Sequence, residues 1–407
     1  MQVMAQETMW GVPFVARETV RVALLGCGGR GLSLLSQLMR QEGVEVRGLF
    51  DVNPERAGEG ARQVAEVGRP MPRVETEDVA RLLDGGGLDL AVVASPWHAH
   101  VPLAVAAMER GVHAAVEVPA ATTLEGCWDL VNASERSRRH CVLLENCCYG
   151  YEELLMLGLA RAGRLGEITH GEGAYIHDLR ALLLSDQGEG LWRREPHLRR
   201  DGNFYPTHGL GPLARCLDIH RGDRFVRLVS MSSREAGLTA YRDAHEPMDG
   251  PKRRERYTAG DMNVSLLKTA RGRTLVLQHD VVTPRPYSRN TLLQGTKGAF
   301  RDYPPGVFFD GQTEHVWQPL NTVKEYEDPL WRDTGAAARA AGGHGGMDFL
   351  MIYRLIRCLR DGLPPDIDVY DAAAWSAPGP LSELSVSQGS APLHFPDFTR
   401  GHWETPS

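Results

Sequence analysis

Gly26, Gly28 and Gly31 stand in the run Val22-Ala23-Leu24-Leu25-Gly26-Cys27-Gly28-Gly29-Arg30-Gly31, and an acid, Asp51, follows about 20 residues later. That pattern suits a dinucleotide. Gly26 permits a tight turn, Gly28 lets the backbone approach a pyrophosphate, and Gly31 lets a helix pack closely on the strand. Free N–H groups at the start of that helix, read over Leu32 to Arg40, then face the phosphates. The Asp51 carboxylate accepts from the adenosine ribose hydroxyls and repels a 2′-phosphate, so NAD is expected over NADP. A purely structural βα turn is the competing reading. A strand before, a helix after and an acid at this distance favour the nucleotide.

A second set lies in Gly202-Asn203-Phe204-Tyr205-Pro206-Thr207-His208-Gly209, ahead of the helix-like run Leu210 to Leu217. Pro206 at an early helical position holds Tyr205 and His208 on one helical face. Histidine accepts protons near neutral pH, so His208 is a candidate general base. A structural histidine at a helix start is the plain alternative, and the residues alone leave both open. Tyr175 to Arg180, Trp192-Arg193-Arg194 and Pro284 to Arg289 are polar clusters that either bond locally or line a pocket for a polyhydroxylated ligand. His344, in Gly343-His344-Gly345-Gly346, is read as having no carboxylate or second histidine at ligand spacing, so no metal site is expected. Lysine occurs only at 252, 268, 297 and 324, which restricts the groups that can move protons.

These residues need a frame. Asn53-Pro54-Glu55 opens a helix with proline in its first turn. Asp89 to Ala94 reads as a buried strand ending in Ser95-Pro96-Trp97-His98, and His100 to Arg110 as a helix. Val112 to Val116 is the next strand, ending in Glu117-Val118-Pro119. A helix from Thr122 follows, and Cys141 to Glu145 is a sixth strand ending at Asn146. Strands alternating with helices call for a doubly wound parallel sheet, with ligands beyond the carboxyl ends of the strands. Trp97, His98, Glu117 and Asn146 fall at those ends and are expected to touch the cofactor rather than only cap loops. After a helix over Tyr151 to Arg161 the pattern alternates, over Glu167 to Tyr175, Val226 to Ser232, Met262 to Thr269, Thr274 to Val281 and Ser288 to Gly295. That predicts a second α/β domain with a mainly antiparallel sheet. The expected division is a Rossmann domain over 19–150, a substrate domain over 151–380 and a surface-wrapping tail over 381–407. Gly335 to Gly346 reads as a mobile loop before a helix, Met347 to Leu359.

Composition narrows the class. A chain of 407 residues exceeds one core, so two domains are expected. A net charge of −7 argues against nucleic acid and acidic membrane surfaces as partners. No apolar run approaches the roughly 20 residues that span a bilayer. Met1 to Arg21 carries neither a basic n-region with an apolar h-region nor twin arginines, so the reading is cytoplasmic, or exported if a signal has been removed. The seven cysteines lack framework spacing and are expected to be reduced and buried.

The N-terminal half resembles the Gfo/Idh/MocA oxidoreductases, a Rossmann domain followed by an open-faced α/β substrate domain. That superfamily commonly carries Glu-Lys-Pro after the fifth strand, its lysine assisting proton transfer. Here the residues are Glu117-Val118-Pro119, which speaks against an ordinary alcohol dehydrogenase. From about Val20 to Trp403 the chain resembles a narrower branch, the NAD-dependent N-acetylgalactosaminidases of glycoside hydrolase family 109. The likeness is carried by Glu117-Val118-Pro119-Ala120-Ala121, Leu144-Glu145-Asn146-Cys147, Glu172 to Arg180, and Asn203 to Pro212. Pro284 to Arg289, Gly342-Gly343-His344-Gly345-Gly346-Met347-Asp348-Phe349 and Pro396 to Gly401 complete it.

That resemblance implies NAD contacts at Gly29, Arg30, Gly31, Asp51, Trp97, His98, His100, Glu117, Val118 and Asn146, with Tyr205 also reaching the cofactor. It implies sugar contacts at Tyr175, Arg194 (Arg193 being the close competitor), Tyr205, Pro206, Thr207, His208 and Tyr287. The implied reaction oxidises C3 of the sugar, eliminates the group at C1, adds water and reduces C3 again, with NAD tightly bound and recycled. His208 is then the proton carrier near C3, and Tyr205 or Tyr175 the C2 base or leaving-group acid. A homodimer through the open sheet is a further implication. The rival readings are a sugar or inositol dehydrogenase and a non-catalytic NAD-bound protein.

Overall fold

A computed structural model describes residues 8–85 and 87–404. Residues 1–7 of the stretch read for an export signal, and 405–407 of the expected tail, lie outside the described residues. The chain forms two compact units. One runs to Tyr149 and takes up Asp333–Ala373; the other holds Gly150–Arg332 and the chain from Ala374 onward.

The first unit is built on a six-stranded parallel sheet: β1 (Val20–Leu25), β2 (Val44–Phe50), β3 (Arg73–Glu75), β4 (Leu90–Val93), β5 (His113–Val116) and β6 (Cys141–Leu143). Their order is β3-β2-β1-β4-β5-β6, so the strand order reverses between β1 and β4, where such sheets open a ligand crevice. β1 and β4 are almost wholly buried, as parallel strands covered on both faces must be. The helix after the glycine turn is Gly29–Met39, three residues earlier than read from the sequence. Trp97–Glu109 likewise starts ahead of the expected His100.

The second unit holds an eight-stranded sheet of β7 (Ile168–Ile176), β8 (Phe225–Ser232), β9 (Asn263–Thr269), β10 (Thr274–Asp280), β11 (Leu292–Gly295), β12 (Gly298–Arg301), β13 (Gly306–Phe309) and β14 (Leu393–His394). Its order is β13-β12-β11-β7-β10-β9-β8-β14. Every neighbouring pair is antiparallel except β7 and β10, which run parallel with Tyr175 opposite His279.

Three expectations are corrected. Gly335 to Gly346 is not one loop: Pro329–Ala341 is a helix, because Ala336-Ala337-Ala338 and Ala340-Ala341 favour helix strongly enough to carry Gly335. Residues 333–373 do not belong to the second domain. The helix Met347–Asp361 buries Leu350, Met351, Leu355, Ile356 and Leu359, and that apolar face packs on Gly29–Met39 and on the turn Asn146–Tyr149. Nor does the chain beyond 380 merely wrap the surface. Helix Pro378–Ser387 packs on β8, β14 adds an edge strand to it, and Phe395 and Phe398 are buried. No helix among the described residues is long and apolar enough to cross a membrane.

Candidate functional site

In the first unit the glycine turn has the form a pyrophosphate requires. Gly26 sits at φ +106°, where a Cβ would come within 2.6 Å of the Ala94 carbonyl oxygen, and a Cβ on Gly31 would overlap the Gly26 carbonyl. Gly28 and Gly29 face open space, so their bare backbone at the helix start is available to a phosphate. Asp51, only 8% exposed, is oriented by its own chain: Oδ2 accepts from the Cys27 N–H at 2.7 Å and Oδ1 from the Asn53 N–H at 2.8 Å. Its remaining lone pairs fit a ribose diol. Asn53 in turn caps Pro54–Glu66, accepting from the Glu55 N–H at 2.9 Å.

Arg30, Glu117 and Asn146 converge on a residue that sequence reasoning gave no role, Asp348. Arg30 grips it twice, at 2.7 and 3.0 Å, while its Nε donates to Glu117 at 2.7 Å. Asn146 Nδ2 donates to Asp348 Oδ1 at 2.8 Å, and His344 Nδ1 lies 2.8 Å from Oδ2. Asp348 is fully buried. Burial alone would raise its pKa, but hydrogen bonds from His344 and Arg30 outweigh that and hold the carboxyl well below the usual range. Burial and the Asp348 charge push Glu117 up against the pull of Arg30. The reading that His344 lacks a carboxylate partner is therefore overturned: Asp348 is one helical turn away. His344 stands at φ +48° among Gly342, Gly343, Gly345 and Gly346, all at positive φ, and its side chain is 58% exposed. A histidine tied to a buried carboxylate with its ring open to solvent is equipped to carry a proton.

The other expected cofactor contacts divide. Trp97 and the exposed His98 begin the helix beyond β4, and buried Val118 follows β5. His100 instead uses both ring nitrogens internally, 2.8 Å from the Pro119 and Ser95 carbonyls. Burial lowers its pKa despite those two acceptors. The ring thus lies between the loops that carry Ser95 and Pro119.

In the second unit Tyr175, Tyr205 and His208 meet. Ring centroids are 4.6 Å apart for Tyr175 and Tyr205, 4.8 Å for Tyr205 and His208, and 5.4 Å for Tyr175 and His208. The cause is a glycine pair: a Cβ on Gly173 would overlap the Gly209 carbonyl, and one on Gly209 would come within 2.5 Å of the Ala174 nitrogen. Helix Thr207–Cys216 thus presses its backbone directly on β7. Pro206 and Thr207 are buried beneath Tyr205 and His208, which are half-buried. Asn203 Oδ1 accepts from the Tyr205 N–H at 3.0 Å. Tyr287, 38% exposed, approaches from the β10–β11 connection, 6.2 Å from Tyr175.

Of the two adjacent arginines it is Arg193 that joins this cluster. Its guanidinium lies 4.9 Å from the Tyr205 ring centre and pairs with Glu189 at 2.6 Å. Burial opposes its charge, but Tyr175, Glu189 and Tyr205 outweigh that and raise its pKa. Arg194 turns away, donating to the Leu183 carbonyl at 2.9 Å and pairing with Glu255 at 3.2 Å. Behind the cluster His279 and His197 are buried. Burial drives the first far below its usual pKa and the second, with Arg193 adding, to about 3.

Comparison with known proteins agrees with both units. Residues 20–144 match the family described as "Oxidoreductase family, NAD-binding Rossmann fold", and residues 149–405 match "Glycosyl hydrolase 109, C-terminal domain". A glycosyl hydrolase family 109 protein of Solibacter usitatus is 52% identical, covering 98% of this chain and 93% of that protein. One of Saccharopolyspora erythraea is 47% identical, with 98% and 88% covered. Among solved structures, a levoglucosan dehydrogenase with NADH and levoglucosan has a TM-score of 0.69 at 18% identity, covering 93% of this chain and 100% of that one. An inositol dehydrogenase homolog with NAD+ from Azotobacter vinelandii has 0.68 at 17%, covering 94% and 99%. At such identities the likeness to these two structures is one of fold.

Proposed function

The chain belongs to glycosyl hydrolase family 109, with an NAD-binding Rossmann domain, and on that premise we propose that it releases terminal N-acetylgalactosamine from glycosides without net redox change. The observation that carries this reading is the cluster of Tyr175, Tyr205, His208 and Arg193. It offers phenols, an imidazole and a cation, whereas most glycosidases place a pair of carboxylates at the scissile bond, with NAD-dependent enzymes among the exceptions.

NAD held at the glycine turn and by Asp51 would supply hydride acceptance and donation at sugar C3. His208 takes the proton of the 3-hydroxyl. The C3 ketone makes the C2 hydrogen acidic, and Tyr175 or Tyr205 removes it. The C2–H electron pair becomes the C1=C2 double bond and the C1 oxygen leaves with a proton from the other tyrosine. Water then adds at C1, C2 regains a proton, and His208 protonates O3 as C3 is reduced. Arg193, beside both phenols, stabilises the negative charge that either oxygen carries when deprotonated.

A panel of aryl N-acetylhexosaminides tests the proposal. Cleavage should favour the galacto configuration, require NAD only in catalytic amount and accumulate no NADH. Steady NADH formation from free sugar with no aglycone release would give a dehydrogenase instead.

A further inference from the structure

One contact in the sugar-facing cluster has no role in the sequence above. The Tyr175 hydroxyl lies 3.0 Å from His177 Nδ1, with the two rings edge to face at 5.7 Å. Side chains two apart along a strand share a face, and Tyr175 and His177 straddle the end of β7. The backbone fixes both. Ile176 exchanges two 3.0 Å hydrogen bonds with Ser288, and the His177 N–H donates to the Asp280 carbonyl at 2.9 Å. On its far side His177 meets the Tyr287 ring edge to face at 5.2 Å. Next along the chain Asp178 is occupied by Arg180 at 2.7 Å.

The two partners differ in access to water. Tyr175 is 6% exposed, while His177 is half-buried and borders the exposed Tyr287 and Asp178. A free phenol titrates near pH 10, so a buried tyrosine that must give up and regain a proton each turnover needs a neighbour that takes it. We propose that His177 is a positioning residue that relays protons between Tyr175 and solvent, with Tyr175 as the group that removes the C2 hydrogen; this rests on the oxidation–elimination reading above.

With the ring in its Nε2–H tautomer the phenol donates to Nδ1. The phenol first passes its proton through Nδ1 to water, leaving the phenolate that removes the C2 hydrogen. The proton taken from C2 then moves from the phenol oxygen to Nδ1 in the same way, leaving phenolate and imidazolium. The imidazolium releases a proton to water and returns to the neutral ring. The reverse sequence reloads Tyr175, so the hydrogen returned to C2 comes from solvent. No electron changes hands in the relay, and its proton count closes over the cycle.

The test is hydrolysis in ordinary water of an aryl glycoside carrying deuterium at C2, comparing the unaltered enzyme with His177→Gln and His177→Phe and following the label in the released sugar. The unaltered enzyme should lose the deuterium. Both variants should retain it, with exchange per turnover slowed roughly tenfold or more and kcat lowered far more than KM. Glutamine keeps a hydrogen-bonding partner for Tyr175 but cannot relay, so wild-type exchange in His177→Gln would mean that His177 only holds the ring in place, overturning the proposal. Should the phenylalanine variant fail to fold, the glutamine variant decides alone. Retention of label by the unaltered enzyme, alongside an isotope effect from deuterium at C3, would overturn the relay and leave the hydrolytic mechanism standing. Retention with no effect at C3 would remove both.

Discussion

Around Asp348 in the first unit the polar groups are bonded to one another about a fully buried carboxylate: Arg30 grips two carboxylates, and the buried Asn146 and the solvent-open His344 complete the set. Around Tyr175 in the second unit the groups are rings, with Arg193 as a buried cation among them and His197 and His279 held neutral behind. The difference fits the division of work in the proposed reaction. A cofactor kept through the cycle would be served by groups of fixed charge, and the Arg30–Asp348 ion pair in low dielectric is of that kind. A sugar losing and regaining protons needs groups that exchange them, and phenols with imidazoles do so at modest cost.

The sharpest way to break this contrast is to remove the proposed proton carrier from the second unit. His208→Asn should lower turnover by at least roughly 10²-fold while NAD still binds and melting is little changed; activity within a few-fold of wild type would make His208 structural. Removing the hub of the first unit should act on the fold and on NAD together. Asp348→Ala leaves Arg30 without its bidentate partner in a buried site, a loss on the order of 3–5 kcal/mol. Thermal melting should therefore fall steeply and NAD dissociate more readily. An unchanged melting temperature would show that the network is not what holds these segments.

Asp51→Ala is expected to be milder and specific. NAD affinity falls and discrimination against NADP relaxes, read by fluorescence titration with the two reduced cofactors. Equal binding of both by the unaltered protein would contradict the role given to Asp51. Acid should weaken both units by gradual steps. Burial above all lowers the pKa of His113 to about 3 and His140 to about 4 in the first unit, as it lowers His197 in the second. These rings are neutral when folded but take protons when unfolded once pH drops below about 6.5. Their stabilisation is complete above that pH and declines as pH falls from about 6.5 toward 4. Melting scans between pH 7 and 4 check the slope, and a melting temperature that holds or rises on acidification would contradict it.

How legible each region was in the sequence follows from how local its determinants are. The glycine turn, Asp51 and the strand ends bearing Glu117 and Asn146 could be read because a βα unit encodes them within a few tens of residues. Helix Tyr151–Arg161 appears as read. Asp348 was not legible as the hub, since its bond to Arg30 spans 318 residues; the spacing of four from His344 was the available hint. Arg193 and Arg194 lie at the junction of two short helices, Gly190–Arg193 and Glu195–Arg199. One residue along a helix is about 100° of rotation, so only the fold decides which of them faces Tyr205. The bonds of His100 to the Ser95 and Pro119 carbonyls were not legible, because a strand-end histidine looks the same in sequence whether it faces a ligand or bonds two loops. In Gly335 to Gly346 the glycines drew attention away from the alanines that make most of that stretch helical.

Hydrolysis in D₂O tests the central claim most directly. If the second unit works by proton exchange at C2 after oxidation at C3, the released sugar should carry deuterium at C2, and deuterium placed at C3 of the substrate should slow turnover. A product with an untouched C2–H bond, formed at a rate indifferent to the C3 label, would contradict the account.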